Sequence, residues 1–437
     1  MVYDHHWNMN VSCAEQFAKI KTVDDIWING SNDVVDVRPF ANLPNLKKLA
    51  IPKNKVKDIS PLVSSPNLES LTLWSNEIVD LTPIASLKNL KSIGFANNKI
   101  TDASPLAELP GLLGVSLEGN KLASTDFLKA LPNLVYLNLS EADITSLPDL
   151  SHLTKLETLK LEFNKLTSVP GLSNLTSVRE IDLGWNEGLT KIESLKKLEG
   201  LRVFSAWDCS LTAAPELPAK LDNSSAWPFQ LSLGGNKISD ISALANFNYQ
   251  INLKDISVLA TVKAFGELDL SKNQIEDLSP LSNKWIGNLN ASNNRISHLE
   301  NFIPDQYIGE IWLNDNQISS IAPLPSILPN LRAFAISNNP VVDVEKIGLM
   351  NPDKLPSVWM AGLGLKNLNF LSDIFFLYTK GIDVSNNDLT DVSPLMNSVI
   401  AEFIRIGCNP NLPQDQAEAL KKRHNTSGRM IVSTNCN

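Results

Sequence analysis

Cysteine is scarce in this chain: four among 437 residues, too few for a scaffold held together by disulfides. Histidine is nearly as rare, at five. Apart from the adjacent His5 and His6, these lie far from one another and from cysteine in sequence, so no metal-ligand spacing is present. No apolar run approaches the ~18–20 residues that span a bilayer. The start, MVYDHHWNMN, lacks the apolar stretch of a secretory leader, as the mature end of a secreted chain also would. A net charge of -9 disfavours nucleic acid and anionic membranes as partners. Catalytic signatures are missing too: there is no GxSxG, no Walker A loop, no HExxH and no CxxC. These gaps argue against an enzyme, a metal site or a cofactor.

What the chain does contain is a repeat. The stretch NKVKDISPLVSSPNLESLTLWSN, Asn54 to Asn76, is followed by NEIVDLTPIASLKNLKSIGFANN, Asn76 to Asn98, with apolar residues at the same offsets. The pattern L-x-x-L-x-L-x-x-N-x-I-x-D-I-x-P-L starts at Leu46, Leu68, Leu90, Leu112, Leu134 and Leu156 in strict 22-residue steps. It continues less evenly from Val178, Leu201, Phe265, Ile286, Ile308, Leu331, Thr379 and Ala401. L-x-L alternation predicts a short strand with one apolar face. One strand cannot bury that face alone, but stacked coils build a continuous core. A length that suggests two or three globular domains is then reached by stacking instead.

The recurring Asn follows from backbone accounting. The turn after each strand is buried between coils, and each unpaired polar group there costs about 1–3 kcal/mol. An inward Asn amide has two donors and an acceptor to meet them. The rungs are Asn54, Asn76, Asn98, Asn120, Asn164, Asn186, Asn236, Asn273, Asn294, Asn316, Asn339, Asn387 and Asn409. Ala142, Cys209 and Leu363 interrupt the ladder. Cys209 is small and weakly hydrogen-bonding; at Ala142 and Leu363 a local irregularity or a bridging water is expected. On the return side, Ser precedes Pro in DISPL and DASPL, which predicts a Ser-capped short 3₁₀ turn in each coil. Asp58, Asp80 and Asp102 read as turn-capping carboxylates, because no calcium-loop spacing accompanies them.

The NxIxDIxPLxxLxNL pattern, with 22-residue steps and Pro on the return side, resembles the internalin-type (SDS22-like) leucine-rich repeats of bacterial surface proteins over roughly Val23 to Asn409. The resemblance implies an α/β solenoid: a curved array with a concave parallel β-sheet and convex 3₁₀ turns, capped at both ends. It implies secretion or cell-surface display and a protein partner on the concave face. The immunoglobulin-like module and cell-wall anchor of such proteins are not legible here. The expected divisions are a helical N-terminal cap over 1–22, repeats over 23–410, and a helix-strand C-terminal cap over 411–437. Within these, CAEQFAKIKTV (Cys13–Val23) and PQDQAEALKKRH (Pro413–His424) read as helices, and SGRMIVSTN (Ser427–Asn435) as a closing strand. The repeats lose their rhythm around 210–264, where KDISVL (Lys254–Leu259) is a candidate degenerate repeat. They lose it again around 340–378, with a strand expected at SVWMA (Ser357–Ala361).

Seventeen or so strands would extend the array over roughly 75–80 Å. Cys13 then cannot reach Cys408 or Cys436, since a disulfide needs Cα atoms about 4.4–6.8 Å apart. Cys209 faces inward. The remaining choice is a Cys408–Cys436 bridge, which favours an oxidising compartment, or none.

The outward strand positions carry the functional candidates. Trp27, Trp74, Tyr136, Phe163, Trp185, Trp207, Phe229, Trp312 and Trp359 occupy places that a wet sheet fills with polar residues. Phe163, Trp185 and Trp207 are in consecutive coils, ringed by Lys160, Glu162, Arg179, Asp182 and Asp208. Exposed aromatic clusters with a polar rim are typical of interaction hot spots. The expected protein-binding set is Tyr136, Lys160, Phe163, Arg179, Asp182, Trp185, Trp207, Asp208 and Trp312. Mutual packing of the rings as sheet decoration is the alternative. Two other functions fit the same residues: an intracellular SDS22-like regulatory scaffold, and a carbohydrate binder that stacks sugars on Trp.

Overall fold

The alternating L-x-L segments form short strands, as expected, and within each compact unit they pair in parallel from coil to coil. A computed structural model describes residues 22–28, 34–218, 229–246, 265–282, 284, 286–303, 308–324, 331–349, 357–372, 379–397, 400–424 and 432–434. The chain divides into two compact units, Met1–Ser210 and Leu211–Asn437.

The first unit contains β1 (Asp25–Trp27), β2 (Lys48–Ala50), β3 (Ser70–Thr72), β4 (Ser92–Gly94), β5 (Gly114–Ser116), β6 (Tyr136–Asn138), β7 (Thr158–Lys160), β8 (Glu180–Asp182) and β9 (Val203–Ser205). The second contains β10 (Phe229–Ser232), β11 (Phe265–Asp269), β12 (Ile286–Asn290), β13 (Glu310–Trp312), β14 (Ala333–Ala335), β15 (Ser357–Trp359), β16 (Thr379–Asp383), β17 (Ile400–Arg405) and β18 (Val432–Ser433). Register follows the repeat: Leu49 pairs with Leu71, Leu71 with Ile93, and Ile93 with Val115. The inward residues of each strand are sealed; Leu71, Leu137, Leu159 and Ile181 are all 0% exposed. Each such side chain contributes about 1.5–3 kcal/mol on burial.

The Asn ladder forms in both units. Asn76 donates to the Ile51 and Leu73 carbonyls, each at 2.9 Å, and accepts from the Val56 amide at 2.9 Å. Asn186, Asn316 and Asn387 repeat the same geometry. The expected irregularity at Ala142 is seen in the backbone, where Asp143 (φ 59°) is left-handed as well as Glu141 (φ 54°), and backbone and neighbour replace the missing amide. The Ala142 carbonyl accepts from the Leu122 amide at 3.0 Å. Asn164 of the next coil then takes both the Ala142 and the Ile144 amides on one oxygen, each at 3.1 Å. At Leu363 the same sharing is seen: Asn387 accepts from the Leu363 and Leu365 amides at 2.9 and 3.0 Å. At the third break the Cys209 thiol donates to the Leu183 carbonyl at 3.3 Å.

The return segments are the expected 3₁₀ turns, among them Ser60–Ser64, Thr82–Ser86 and Ser104–Glu108, each with Pro in its first turn. Their caps differ from the Ser expectation. Ser60, Thr82 and Ser104 are the first residues of the turns, and their amides donate to Asp58, Asp80 and Asp102 at 2.8 Å. The Thr82 hydroxyl and amide hold the Asp80 carboxyl below the usual range, and the Ser104 amide and hydroxyl do the same for Asp102. The Asp columns are therefore turn caps.

At the C-terminal end, α1 (Gln414–His424) agrees with the predicted helix. It closes the stack with Leu420, which is 0% exposed, and Gln416, whose amide oxygen accepts from the Val392 amide at 2.9 Å. His424 is 8% exposed and bonds the Leu395 carbonyl at 3.1 Å. β18 pairs in parallel with β17, as the closing strand requires. The strand expected at SVWMA is β15. The N-terminal helix expected over Cys13–Val23 lies outside the described residues except Thr22 and Val23, and so does the candidate repeat Lys254–Leu259.

Candidate functional site

Coil geometry prepares one position in each repeat. The residue just before each rung has a left-handed backbone, from Lys53 at φ 54° to Cys408 at φ 52°. Gly and Asn tolerate this state, whereas a bulky side chain loses about 1–2 kcal/mol there. Many coils comply, with Asn97, Gly119, Gly235, Asn293, Asn338, Gly362 and Asn386 at this position. Lys53, Ser75, Glu141, Asp208, Lys272, Asp315 and Cys408 depart from this, and so do two aromatic residues, Phe163 (φ 55°) and Trp185 (φ 57°). These two aromatics occupy consecutive coils and stack with ring centroids 5.2 Å apart and 11° between planes. Trp207, one position earlier in the next coil, meets Trp185 at 5.3 Å in a tilted arrangement. Phe163 and Trp185 stay 47% and 41% exposed. Folding gains little from large rings held in a disfavoured backbone and left in water, and such strain gathers at functional positions.

Carboxylates line the stack. Glu162 precedes Phe163 and is hydrogen-bonded to Asp182. Burial pushes the Glu162 carboxyl up to about 7, and the negative charges of Asp182 and Glu118 add to this against the opposing pull of Lys160. Asp182 also accepts from the Gly184 amide at 3.1 Å. Lys160 is already engaged with Glu180 at 2.9 Å. Between Glu118 and Glu162 in the same row of coils is Ser140, 1% exposed, whose hydroxyl has no hydrogen-bond partner. Cys209 lies 6% exposed, and burial pushes its thiol up to about 11, with Asp182 and Asp208 adding to the shift. A thiol held so far from ionisation is no nucleophile at neutral pH.

The structure brings together part of the expected set. Phe163, Trp185 and Trp207 form one cluster, Asp182 bonds the amide of Gly184 just before Trp185, and Asp208 follows Trp207 with φ 48°. Tyr136, on β6, is 37% exposed. Arg179 stands six residues before Trp185, at the other end of its strand, and faces Glu157 at 3.9 Å. Trp312 belongs to the second unit. There it packs on Trp359 with centroids 4.5 Å apart, although β14 runs between their strands. Ala335 makes this possible: it is 0% exposed and too small to separate the rings. Trp359 reaches Phe403 at 5.8 Å across β16, where a Cβ on Gly381 would collide with the Phe403 ring. Arg405 lies over Phe403 at 5.0 Å. Phe229 is not an outward residue: it is 3% exposed and belongs to the core. Trp74, half-buried, has the Lys53 ammonium 5.0 Å from its ring centroid. Sequence reading missed Glu118 and Ser140, although their place in the Glu162 row was readable from the 22-residue step.

Among the described residues, no group of His, Cys, Asp and Glu side chains is placed to hold a metal ion. None of the described helices is long and apolar enough to cross a membrane.

The leucine-rich-repeat family model (two copies) matches residues 66–108. No sequence among curated proteins matches the chain. Solved structures show the same fold. An internalin, inlF, from Listeria monocytogenes is similar with a TM-score of 0.61 at 24% identity, over 79% of this chain and 89% of that one. A leucine-rich-repeat protein of Leptospira interrogans has a TM-score of 0.63 at 20% identity, over 89% and 98%. The Arabidopsis receptor kinase HAESA, solved with a peptide hormone and a co-receptor, has a TM-score of 0.52 at 17% identity, over 91% and 81%. The coils described above are thus those of a leucine-rich-repeat solenoid, a fold that commonly serves as a scaffold for protein interaction.

Proposed function

We propose that this chain is a non-catalytic protein-binding module of internalin type, secreted or displayed at a bacterial cell surface. It would bind a partner on the concave, outward face of its first unit. The observation that carries this reading is the pair Phe163 and Trp185, stacked, exposed and held in a left-handed backbone that the other coils fill with Gly, Asn or another non-aromatic residue. A partner that covers these rings recovers about 25 cal/mol per Å² of apolar area. The repeat motif and the likeness to inlF support the internalin type. The disulfide carried by Cys408 supports an oxidising compartment. Cys209 is free. The proposed partner of Cys408, Cys436, lies outside the described residues, as does Cys13.

The test is partner capture by Trp185→Ala and Trp207→Ala, alongside their thermal midpoints. Removing a central anchor typically costs 2 kcal/mol or more, about a thirtyfold weaker complex. Thermal midpoints should barely move, because surface changes usually stay within about ±0.5 kcal/mol. Normal capture by both variants overturns the reading. So does a loss of several degrees in both, which would make the rings packing elements. Peptide mapping without reductant checks the compartment argument; a Cys408–Cys436 linkage is expected.

A further inference from the structure

The stack and the carboxylates beside it are a matched set. Phe163 and Trp185 offer exposed, nearly parallel ring surface. Glu162 and Asp182 flank it, with Glu118 in the same row. The nearest cation, Lys160, is taken by Glu180 at 2.9 Å. The site therefore gathers negative charge and flat aromatic surface, with Lys160 turned to Glu180 and the Glu162 carboxyl hydrogen-bonded to Asp182. Ser140, in that row, adds a buried hydroxyl with no partner of its own.

Resting on the protein-binding reading above, we infer that this surface anchors an arginine side chain of the partner, its guanidinium stacked on the Phe163–Trp185 pair and bonded to Asp182 and Glu162. Guanidinium suits the place better than ammonium, because it is planar, stacks on aromatic faces and bonds carboxylates as a fork. Binding would expel the Glu162 proton. Glu162 arrives as a neutral carboxyl hydrogen-bonded to Asp182 and leaves as a carboxylate facing the cation, with the proton released to water.

The groups facing Glu162 are Asp182 and Glu118, which raise its affinity for a proton, and Lys160, which lowers it. A bound cation adds to the lowering. Affinity should therefore rise with pH up to about 7, where free Glu162 is half ionised, and level off above it.

The probes are three short capped peptides, identical except for a central arginine, citrulline or leucine. Each is titrated into the full chain and followed by the shift of the Trp185 indole signal. At about pH 8 the arginine peptide should bind about fivefold tighter than the citrulline peptide. At about pH 5.5 that margin should shrink, because Glu162 is then protonated. Glu162→Gln should flatten the pH profile of binding, and Asp182→Asn should reduce the arginine preference, with both chains still folded. Equal binding of arginine and citrulline overturns the inference, as does an arginine affinity that is flat or falls with pH. A leucine peptide that binds best overturns it too, while leaving the aromatic surface as the docking site. Silence from all three also overturns it, whereas the broader reading is decided separately by partner capture.

Discussion

Phe163 and Trp185 in the first unit and Trp312 and Trp359 in the second are both ring pairs on the outer side of a parallel sheet, but they arise differently. The second pair sits on strands, in ordinary extended backbone, and closes over Ala335, whose small size leaves room for the rings. That arrangement is packing: the floor is shaped to the rings. The first pair sits past the strand ends, in a left-handed backbone, and remains more than two-fifths exposed. Aromatic content alone therefore does not mark a binding surface on such a sheet. Backbone state and floor separate a ring that the fold uses from a ring that the fold tolerates.

Below this difference the two units share one support, and that common part gives the largest expected effect. Asn164 and Asn387 each accept two amides because the preceding rung is apolar. Asn164→Ala should destabilise by on the order of 4 kcal/mol, because several buried groups lose their partner. Asn387→Ala should do the same, while Asn76→Ala, whose oxygen takes one amide, should cost about 3 kcal/mol. Urea midpoints check the order. Equal values for Asn164→Ala and Asn76→Ala would remove the shared-acceptor account.

The next effect tests the ring pairs directly. Trp359→Ala should lower stability by about 2 kcal/mol, as expected for a half-buried ring with neighbours on both sides. The double variant Phe163→Asn with Trp185→Asn should not lower it at all. Relief of about 1–2 kcal/mol per left-handed residue offsets the lost stack, worth about 0.5–1.5 kcal/mol. A double variant that melts earlier than Trp359→Ala would reverse the assignment of the two clusters.

The smallest effect is in pH, and its sign differs between units. Glu162 has its carboxyl pushed from 4.5 to about 7 by burial and by Asp182. The folded chain thus holds a proton there that the unfolded chain has released, and stability falls as pH rises through that window. Glu162→Gln should raise neutral-pH stability by roughly 1 kcal/mol or less, after discounting for water around a half-exposed group. His424 behaves oppositely. Burial lowers its affinity for a proton below the ordinary 6.5, so the unfolded chain protonates first and the C-terminal cap weakens as pH falls below about 6.5. Thermal midpoints of Glu162→Gln and His424→Gln across pH should diverge from wild type in opposite senses. Parallel profiles would erase this contrast.

Much of the fold is readable in the chain, because each coil is a local unit whose needs recur at a fixed step. Leu49, Leu71 and Ile93 announce the strands, and Asn54, Asn76 and Asn98 announce the turns they satisfy. The Asp caps were half-readable: Asp58 was placed as a cap, yet Ser60 was expected to share the role, since composition does not tell which oxygen faces the turn amides. Phe229 shows the limit of reading faces from register. It falls in an outward place of the motif, but pairing shifts between Phe229 and Gln230 and the ring turns inward.

The sequence by itself determined the period, the strand and turn in each coil, and the row of residues that reaches solvent, because these depend on offsets within one repeat. Tertiary structure alone decided how neighbouring coils meet. It let the Ala142 carbonyl stand in for a missing amide, made Asn164 serve two coils, and brought Trp312 to Trp359 across β14. It also stacked Phe163 on Trp185 and brought Glu162 to Asp182. Those outcomes are set by contacts between atoms of different coils, whose distances and backbone states are fixed when the coils stack and not by any one repeat.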